Sequence, residues 1–127
     1  MSLLYKNNKF VKELSPNDFT VSNLNRNIHP KTKQPILIKY YAHWCPHCHS
    51  QDMMQFIEAL AQVLPEKAGI IVGAFNCDYN NNHRDIAESA GIMGFPTIRY
   101  YNKNGEEMEY NGQREVEPML KFLVANS

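Results

Sequence analysis

Residues 36–48 read ILIKYYAHWCPHC, and this stretch decides the fold. It begins with Ile36–Ala42, a nearly continuous apolar run that is typical of the buried central strand of a parallel sheet. The pair Cys45 and Cys48 follows at once, and a strongly periodic helical pattern comes after it. A dithiol at a strand-to-helix junction places the first sulfur over the helix N-terminus, where unpaired amide groups and the helix dipole favour the thiolate. The stretch therefore predicts a redox centre.

The spacing of the two cysteines suits thiol–disulfide exchange, in which a thiolate attacks a disulfide and forms a mixed disulfide. We expect Cys45 to be the nucleophile, and Cys48, one helical turn later, to be the buried thiol that resolves the mixed disulfide. Pro46 presets the first helical turn. His47, when protonated, adds positive charge beside the Cys45 thiolate and so stabilises it. The alternative for His47 is a solvated surface histidine, which is also what we expect of His43 and His49.

Two other chemistries use the same residues. The run Cys45-Pro46-His47-Cys48-His49 has the spacing of a haem attachment site, which also needs export, an axial ligand and a pocket. The two cysteines and a histidine would also suit zinc, but the sequence has no second Cys-x-x-Cys pair. We favour the redox pair over both and expect neither a cofactor nor a metal.

Length and charge exclude several classes of protein. At 127 residues the chain can form one domain that buries roughly two thirds of its unfolded surface. Its 13 basic and 13 acidic residues are interspersed, so we expect no nucleic acid and no membrane surface as partners.

The sequence starts without the apolar stretch of a signal peptide. This start favours a cytoplasmic location, or an oxidising compartment if the N-terminus was trimmed.

The N-terminal part of the chain predicts a strand, a helix and a loop. We expect a strand over Phe10–Leu14, and a helix that begins at Pro16 with Ser15 as its N-cap. This helix is expected to include Phe19, Val21 and Leu24. The polar segment Asn25–Pro35 then forms a loop that leads into the strand Ile36–Ala42.

The remaining elements also alternate. After Cys48, an apolar face predicts a long helix that Pro65 ends; its members are Met53, Phe56, Ile57, Leu60, Ala61 and Leu64. Further predictions are a strand over Ile70–Phe75, a loop over Asn80–Asn82, a helix over His83–Ala90 closed by Gly91, a hairpin of Thr97–Tyr101 with Glu106–Tyr110, and a last helix over Val116–Val124. The order βαβαβαββα predicts one α/β domain over residues 1–127, with helices on both faces of the sheet.

These motifs resemble the thioredoxin superfamily over about residues 10–125. The resemblance is carried by Trp44-Cys45-x-x-Cys48 after a strand, Gly94-Phe95-Pro96-Thr97 before the hairpin, and Gly112 beyond it. Residues 40–48, the pair Asn76-Cys77 and residues 110–115 are similar to the protein disulfide isomerase branch, while the Pro46-His47 dipeptide is that of the bacterial oxidase DsbA. The resemblance implies a thioredoxin fold, with a central mixed β-sheet flanked by helices on both faces. It also implies an oxidoreductase that acts on protein or peptide thiols and disulfides.

The resemblance also implies a substrate-binding rim. In the family the peptide bond before Pro96 is cis, which presents the backbone of Phe95 for pairing with a substrate strand. Trp44, Phe95 and Pro96 would then form an apolar rim around Cys45 that suits unfolded polypeptide. We expect Met93 to lie in the core or just behind the site.

Three further residues near the site have expected roles. Arg114 matches an isomerase arginine that approaches the site and stabilises the resolving thiolate; the alternative is a solvated loop arginine. We expect Tyr41 in the core or just behind the site, and Cys77 as a small buried hydrophobe.

Lys39 is the clearest departure from the family, because thioredoxins carry a buried Asp there, and isomerases a Glu, that moves a proton to or from the resolving thiol. A buried amine prefers to be neutral, and a neutral amine can accept that proton. A charged amine would instead favour the Cys48 thiolate. An amine that reaches solvent or pairs with a carboxylate would leave the proton shuttle missing. The sequence leaves these alternatives open.

We therefore expect an oxidase- or isomerase-like thiol–disulfide oxidoreductase that is monomeric and is recycled by an unidentified redox partner. A cytosolic thioredoxin-like reductase is the alternative, and the missing signal peptide favours it. His47 argues against the reductase, because stabilising the reduced thiolate form makes the disulfide more oxidising. A redox-silent module that holds client chains on the Phe95–Pro96 rim is a less favoured alternative.

Overall fold

A mixed five-stranded sheet organises the chain in a computed structural model, which describes residues 3–21 and 28–127. The strands in chain order are β1 (Lys12–Glu13), β2 (Phe19–Val21), β3 (Ile28–Pro30), β4 (Ile36–Tyr41), β5 (Ile71–Asn76), β6 (Thr97–Tyr101) and β7 (Glu107–Tyr110). The sheet has the order β1-β5-β4-β6-β7, in which β1, β5 and β4 are parallel and β6 and β7 run antiparallel to their neighbours. The predicted mixed sheet and its C-terminal hairpin are confirmed.

Among the described residues, three helices cover the two faces of this sheet: α1 (Gln51–Ala68), α2 (Asn81–Ser89) and α3 (Val116–Ala125). Buried side chains of α1 and α3 pack with Leu37 and Tyr41 of β4. Those of α2 pack with Ile38 and Tyr40, which point the other way because side chains alternate along a strand. All six residues of β4 are buried, so the central strand runs through the core and ends at the Cys45 turn.

The first predicted helix is wrong. Pro16–Asp18 form a single 3₁₀ turn, and Phe19–Val21 form β2, which pairs antiparallel with β3. The Phe19 ring lies 5.0 Å from the Phe75 ring in an edge-to-face contact, so packing against the sheet outweighs the local helix-start signal. Because β3 spans Ile28–Pro30, the predicted loop also contains a strand. The expected helical position Leu24 lies outside the described residues.

The long helix after the cysteines is confirmed, but its predicted end at Pro65 is wrong. The helix begins with Ser50 as N-cap, whose Oγ accepts a hydrogen bond from the Met53 amide at 3.3 Å. Pro65 lies inside α1, because its carbonyl still accepts a bond from the Gly69 amide at 3.2 Å. The helix ends where Gly69 adopts φ +66°, a conformation that glycine allows.

Smaller differences concern the two ends of α2. Asn80 is the N-cap of α2, so Asn81 and Asn82 belong to the helix and not to a loop. The helix ends before Gly91, which has φ +72°.

Among residues 3–21 and 28–127, no helix has both the length and the apolar character needed to span a bilayer.

Candidate active site

The two cysteines lie just beyond the carboxyl end of β4, in a helical turn of their own. Pro46–Cys48 form one 3₁₀ turn with Cys45 as its N-cap, and the Cys48 amide donates to the Cys45 carbonyl at 3.1 Å. The sequence predicts the first sulfur over the N-terminus of the long helix, whereas the structure has Cys45 as the N-cap of the short turn and Ser50 as the N-cap of α1, which begins only at Gln51. The N-terminus of α1, which is the positive end of its dipole, therefore comes after the dithiol turn in the chain.

Cys45 and Cys48 are both free thiols, and they differ in depth. The Cys48 side chain is fully buried, whereas Cys45 keeps 6% of its surface exposed. Burial, together with the hydrogen bond that the Cys48 thiol donates to the neighbouring Cys45 sulfur, raises the pKa of Cys48 to about 12. Cys48 therefore holds its proton at neutral pH and needs a base before it can act as a nucleophile.

The aromatic rim that the sequence predicts assembles in part around Cys45. The Trp44 and Phe95 rings meet edge to face at 5.9 Å. The Cys45 Sγ lies 3.8 Å from the Phe95 carbonyl oxygen, and the Phe95–Pro96 peptide bond is cis. Met93 is 96% exposed, so its expected place in or behind the core is wrong. It lies in the loop between α2 and β6, where the polypeptide turns outward before the rim.

A surface network that the sequence analysis missed fixes the Trp44 side chain. The Trp44 indole N–H donates to Asp78 Oδ2 at 2.6 Å, and Arg84 Nε donates to the other oxygen of the same carboxylate, also at 2.6 Å. These two hydrogen bonds, with Arg84 the larger cause, lower the pKa of Asp78. Asp78 follows Asn76-Cys77 directly, but no motif in the sequence indicates that it bonds Trp44.

Trp44 is the only tryptophan of the chain, so its fluorescence reports on this network. Because the folded-state pKa of Asp78 is depressed, its contribution to stability is complete above the unfolded carboxyl range and is lost as pH falls through the folded pKa. We expect Trp44 emission to change in that acidic window. Asp78→Asn should remove the transition, whereas the exposed Asp52→Asn should leave it in place. A transition that survives in Asp78→Asn would assign it to another group.

Lys39 lies directly behind the dithiol turn and is 1% exposed. Its ammonium donates to the Tyr5 hydroxyl at 2.7 Å and to the Cys48 carbonyl, and it lies 4.8 Å from the centre of the Tyr5 ring. Burial lowers the pKa of Lys39 to about 8. Of the alternatives that the sequence left open, escape of the amine to solvent is therefore excluded.

The other predicted site residues lie around the mouth of the turn. Pro46 and His47 are exposed, and His47 lines a cleft of about 990 Å³ between the start of α1 and the loop that joins β7 to α3. Arg114 lines the same cleft from that loop and also a smaller cavity beside Pro96. Arg114 is exposed, and the cation that acts on the Cys48 thiol is Lys39. The structure thus brings Arg114 to the edge of the site, where its charge acts on Lys39.

The remaining residues near the site are structural in their contacts. Tyr41 is buried, as expected, and its hydroxyl donates to Glu13 Oε1 at 2.7 Å. Cys77 is buried, and burial raises the pKa of its thiol. His43 is half-buried and bonds Asn76 at 3.0 Å, whereas His49 is exposed. Within the part of the chain that the structure describes, no three His, Cys, Asp or Glu side chains are placed to hold a metal ion.

Residues 11–125 match the family model for thioredoxin. The chain belongs to the thioredoxin family. It is similar to two rice proteins (Oryza sativa subsp. japonica): it is 33% identical over 116 residues to protein disulfide isomerase-like 2-2, and 32% identical over 125 residues to protein disulfide isomerase-like 2-3. These matches cover 89% and 98% of this chain but only 28% and 25% of the relatives. This thioredoxin-family chain thus spans about a quarter of their length.

Solved structures show the same thioredoxin fold. A fragment of ERdj5 matches with a TM-score of 0.72 at 19% identity, over 96% of this chain and 52% of that chain. Human ERp44 matches with a TM-score of 0.64 at 26% identity, over 90% of this chain and 32% of that chain. At identities this low, the two matches show that the backbone follows the thioredoxin fold. The contacts of the buried side chains are those of this chain's own structure.

Proposed function

We propose that this thioredoxin domain is a thiol–disulfide oxidoreductase of the oxidase or isomerase type, acting on protein disulfides through Cys45 and Cys48. The relative depth of the two thiols carries the proposal. Cys45 keeps 6% of its surface exposed beside the Phe95 carbonyl, and Cys48 is fully buried within the same turn. One thiol can therefore meet a large substrate while the other reacts only with its neighbour.

The reduced domain would reduce a substrate disulfide in two steps. The Cys45 thiolate attacks one substrate sulfur, a bond forms between them, and the second substrate sulfur leaves as a thiolate. Cys48 then gives its proton to the neutral Lys39 amine and attacks the Cys45 sulfur, which releases the first substrate sulfur as a thiolate. The substrate disulfide gains two electrons, and the domain ends with a Cys45–Cys48 disulfide. The reverse sequence oxidises a substrate dithiol.

The surrounding residues would bind substrate and adjust charge. We assign Trp44, Phe95 and Pro96 to contact with an extended polypeptide, whose backbone can bond the exposed edge of the Phe95 segment. His47 and Arg114 line the adjoining cleft and supply positive charge where thiolates form and leave. Pro46 holds the first turn between the two cysteines. The domain would act as a monomer, with a separate redox protein to restore its disulfide.

The reduction potential of the Cys45–Cys48 pair tests this proposal. It is measured by equilibration with glutathione in a Cys77→Ser background, so that only one dithiol is counted. A value near about −120 to −180 mV, the range of strong oxidants and isomerases, supports the proposal. A value near about −270 mV would make the domain a reductase. The lack of any dithiol–disulfide equilibrium would refute the enzymatic role.

A further inference from the structure

A second ionisable group, the half-buried Glu13, lies on the same face of the sheet as Lys39. In the parallel register, Ala74 of β5 is opposite Glu13 on one side and opposite Lys39 on the other. The three residues form a row across the sheet, and cross-strand neighbours point to the same face. Ala74 is small and fully buried, so the two longer side chains can extend toward each other above it.

Two tyrosines connect Glu13 to Lys39. The Tyr5 amide and the Tyr41 hydroxyl both donate to Glu13 Oε1, at 2.9 and 2.7 Å. The Lys39 ammonium bonds the Tyr5 hydroxyl and lies 5.6 Å from the centre of the Tyr41 ring. Each tyrosine therefore contacts both charged groups, which fixes their relative positions.

The second carboxylate oxygen, Glu13 Oε2, is buried and has no hydrogen-bond partner among the described residues. A buried carboxylate oxygen without a donor is costly unless nearby positive charge compensates for it. Burial raises the pKa of Glu13, and its bonds from Tyr41 and Tyr5 and the charge of Lys39 act in the opposite direction. The two charged groups thus stabilise each other's ionised forms.

The groups that face Lys39 come from every element packed around it. They are Tyr5 from the N-terminal segment, Glu13 from β1, Tyr41 from its own strand, Cys45 and Cys48 from the dithiol turn, and Arg114 from the loop before α3. Glu58 of α1 acts on Tyr5. Apart from the two thiols, Glu13 is the group whose negative charge favours the Lys39 ammonium, and Arg114 opposes it.

We propose that Glu13 is a positioning residue for proton transfer from Cys48, because its carboxylate supplies the counter-charge for the ammonium that Lys39 becomes. This inference rests on the proposed function. In the resolving step the Cys48 S–H bond breaks, the proton joins the neutral Lys39 amine, and the Cys48 sulfur bonds the Cys45 sulfur while the substrate thiolate leaves. The negative charge of the Cys48 sulfur moves to the leaving substrate thiolate, so it can no longer balance the new Lys39 ammonium. The Glu13 carboxylate balances that ammonium instead.

Removal of the Glu13 charge has a definite sign. Without the carboxylate the Lys39 ammonium is less stable, so the pKa of Lys39 falls further and the amine is neutral at lower pH. It is also a weaker base, so proton transfer from Cys48 becomes less favourable. Both effects act mainly on the resolving step, because the first attack by Cys45 transfers no proton to Lys39.

The test follows the decay of the mixed disulfide between Cys45 and glutathione. Reduced protein with Cys77→Ser is mixed with glutathione disulfide, quenched with acid at set times and analysed by mass spectrometry. The second step is intramolecular, so its rate does not depend on glutathione concentration. We expect the rate to rise through pH 8 as Lys39 becomes neutral. Glu13→Gln should move this midpoint to lower pH by about one unit and lower the maximal rate.

The matched control is Glu58→Gln, which removes a carboxylate that acts on Tyr5 and should leave the midpoint within about 0.3 pH units. In a Lys39→Gln background, Glu13→Gln should cause no further shift. Tyr41→Phe, which deletes one donor to Glu13 and keeps the ring, should give a smaller shift of the same sign and serves if Glu13→Gln does not fold. An unchanged profile in Glu13→Gln overturns the inference. A wild-type mixed disulfide that never resolves instead overturns the proposed function.

Discussion

Cys45→Ser is expected to abolish disulfide exchange, with a loss of at least about 10³-fold, since an enzyme that loses its nucleophile can lose about 10⁶-fold in rate. Cys45 is the more exposed thiol of the pair, and a hydroxyl does not attack disulfides at neutral pH. Exchange is measured as the reduction of a small disulfide-bonded protein by excess glutathione with catalytic amounts of the domain.

Two matched cysteine variants sharpen this experiment. Cys48→Ser keeps the nucleophile and should accumulate the mixed disulfide with substrate, because the resolving thiol is gone. Cys77→Ser should leave the rate unchanged, since Cys77 packs with Phe75 and other side chains on the opposite face of the sheet from Cys48. Exchange that persists in Cys45→Ser would mean that the dithiol turn is not the reactive centre.

Lys39→Met is expected to slow the resolving step by about 10²-fold near pH 8, the lower end of the range for a lost general base. Methionine keeps an unbranched side chain of similar length but cannot take a proton from Cys48. Since Cys48 has a pKa of about 12, resolution would then depend on hydroxide and rise steadily with pH, without the midpoint near pH 8. The decay of the glutathione mixed disulfide again provides the measurement.

The first step is the internal control for Lys39→Met. Attack by Cys45 on glutathione disulfide needs no proton from Cys48, so its rate should change far less than that of the second step. Urea unfolding shows whether the variant remains folded, and some loss of stability is expected because Glu13 keeps its charge without a buried cation. A resolving step as fast as in the wild type, with the same pH midpoint, would exclude Lys39 as the proton acceptor.

The sequence predicts the reactive turn well because its signals are local. The apolar run Ile36–Ala42 is typical of a buried strand, and Trp44-Cys45-x-x-Cys48 follows it almost directly. The hairpin of β6 and β7 was likewise predictable, since Gly105 marks the turn with φ +80°. In each case the residues that decide the structure lie within a few positions of one another.

The features that were not predictable depend on contacts distant in sequence. Glu13 lies within the first predicted strand, which the structure shortens to Lys12–Glu13, but it meets Lys39 only because β5 is inserted between β1 and β4. Asp78 reaches Trp44 across 34 positions. The position of Ser50 as the α1 cap was also missed, because the apolar face of the helix begins only at Met53 and does not mark where the first turn starts.

The row Glu13, Ala74 and Lys39 makes substitution at one of its positions conditional on the others. Lys39→Glu would place a second carboxylate on the face of the sheet that holds Glu13, where two negative charges repel. A residue larger than Ala74 would fill the space in which the side chains of Glu13 and Lys39 approach each other. We therefore expect residues 13, 39 and 74 to change together among related sequences. A sequence profile that treats each position independently would misjudge all three.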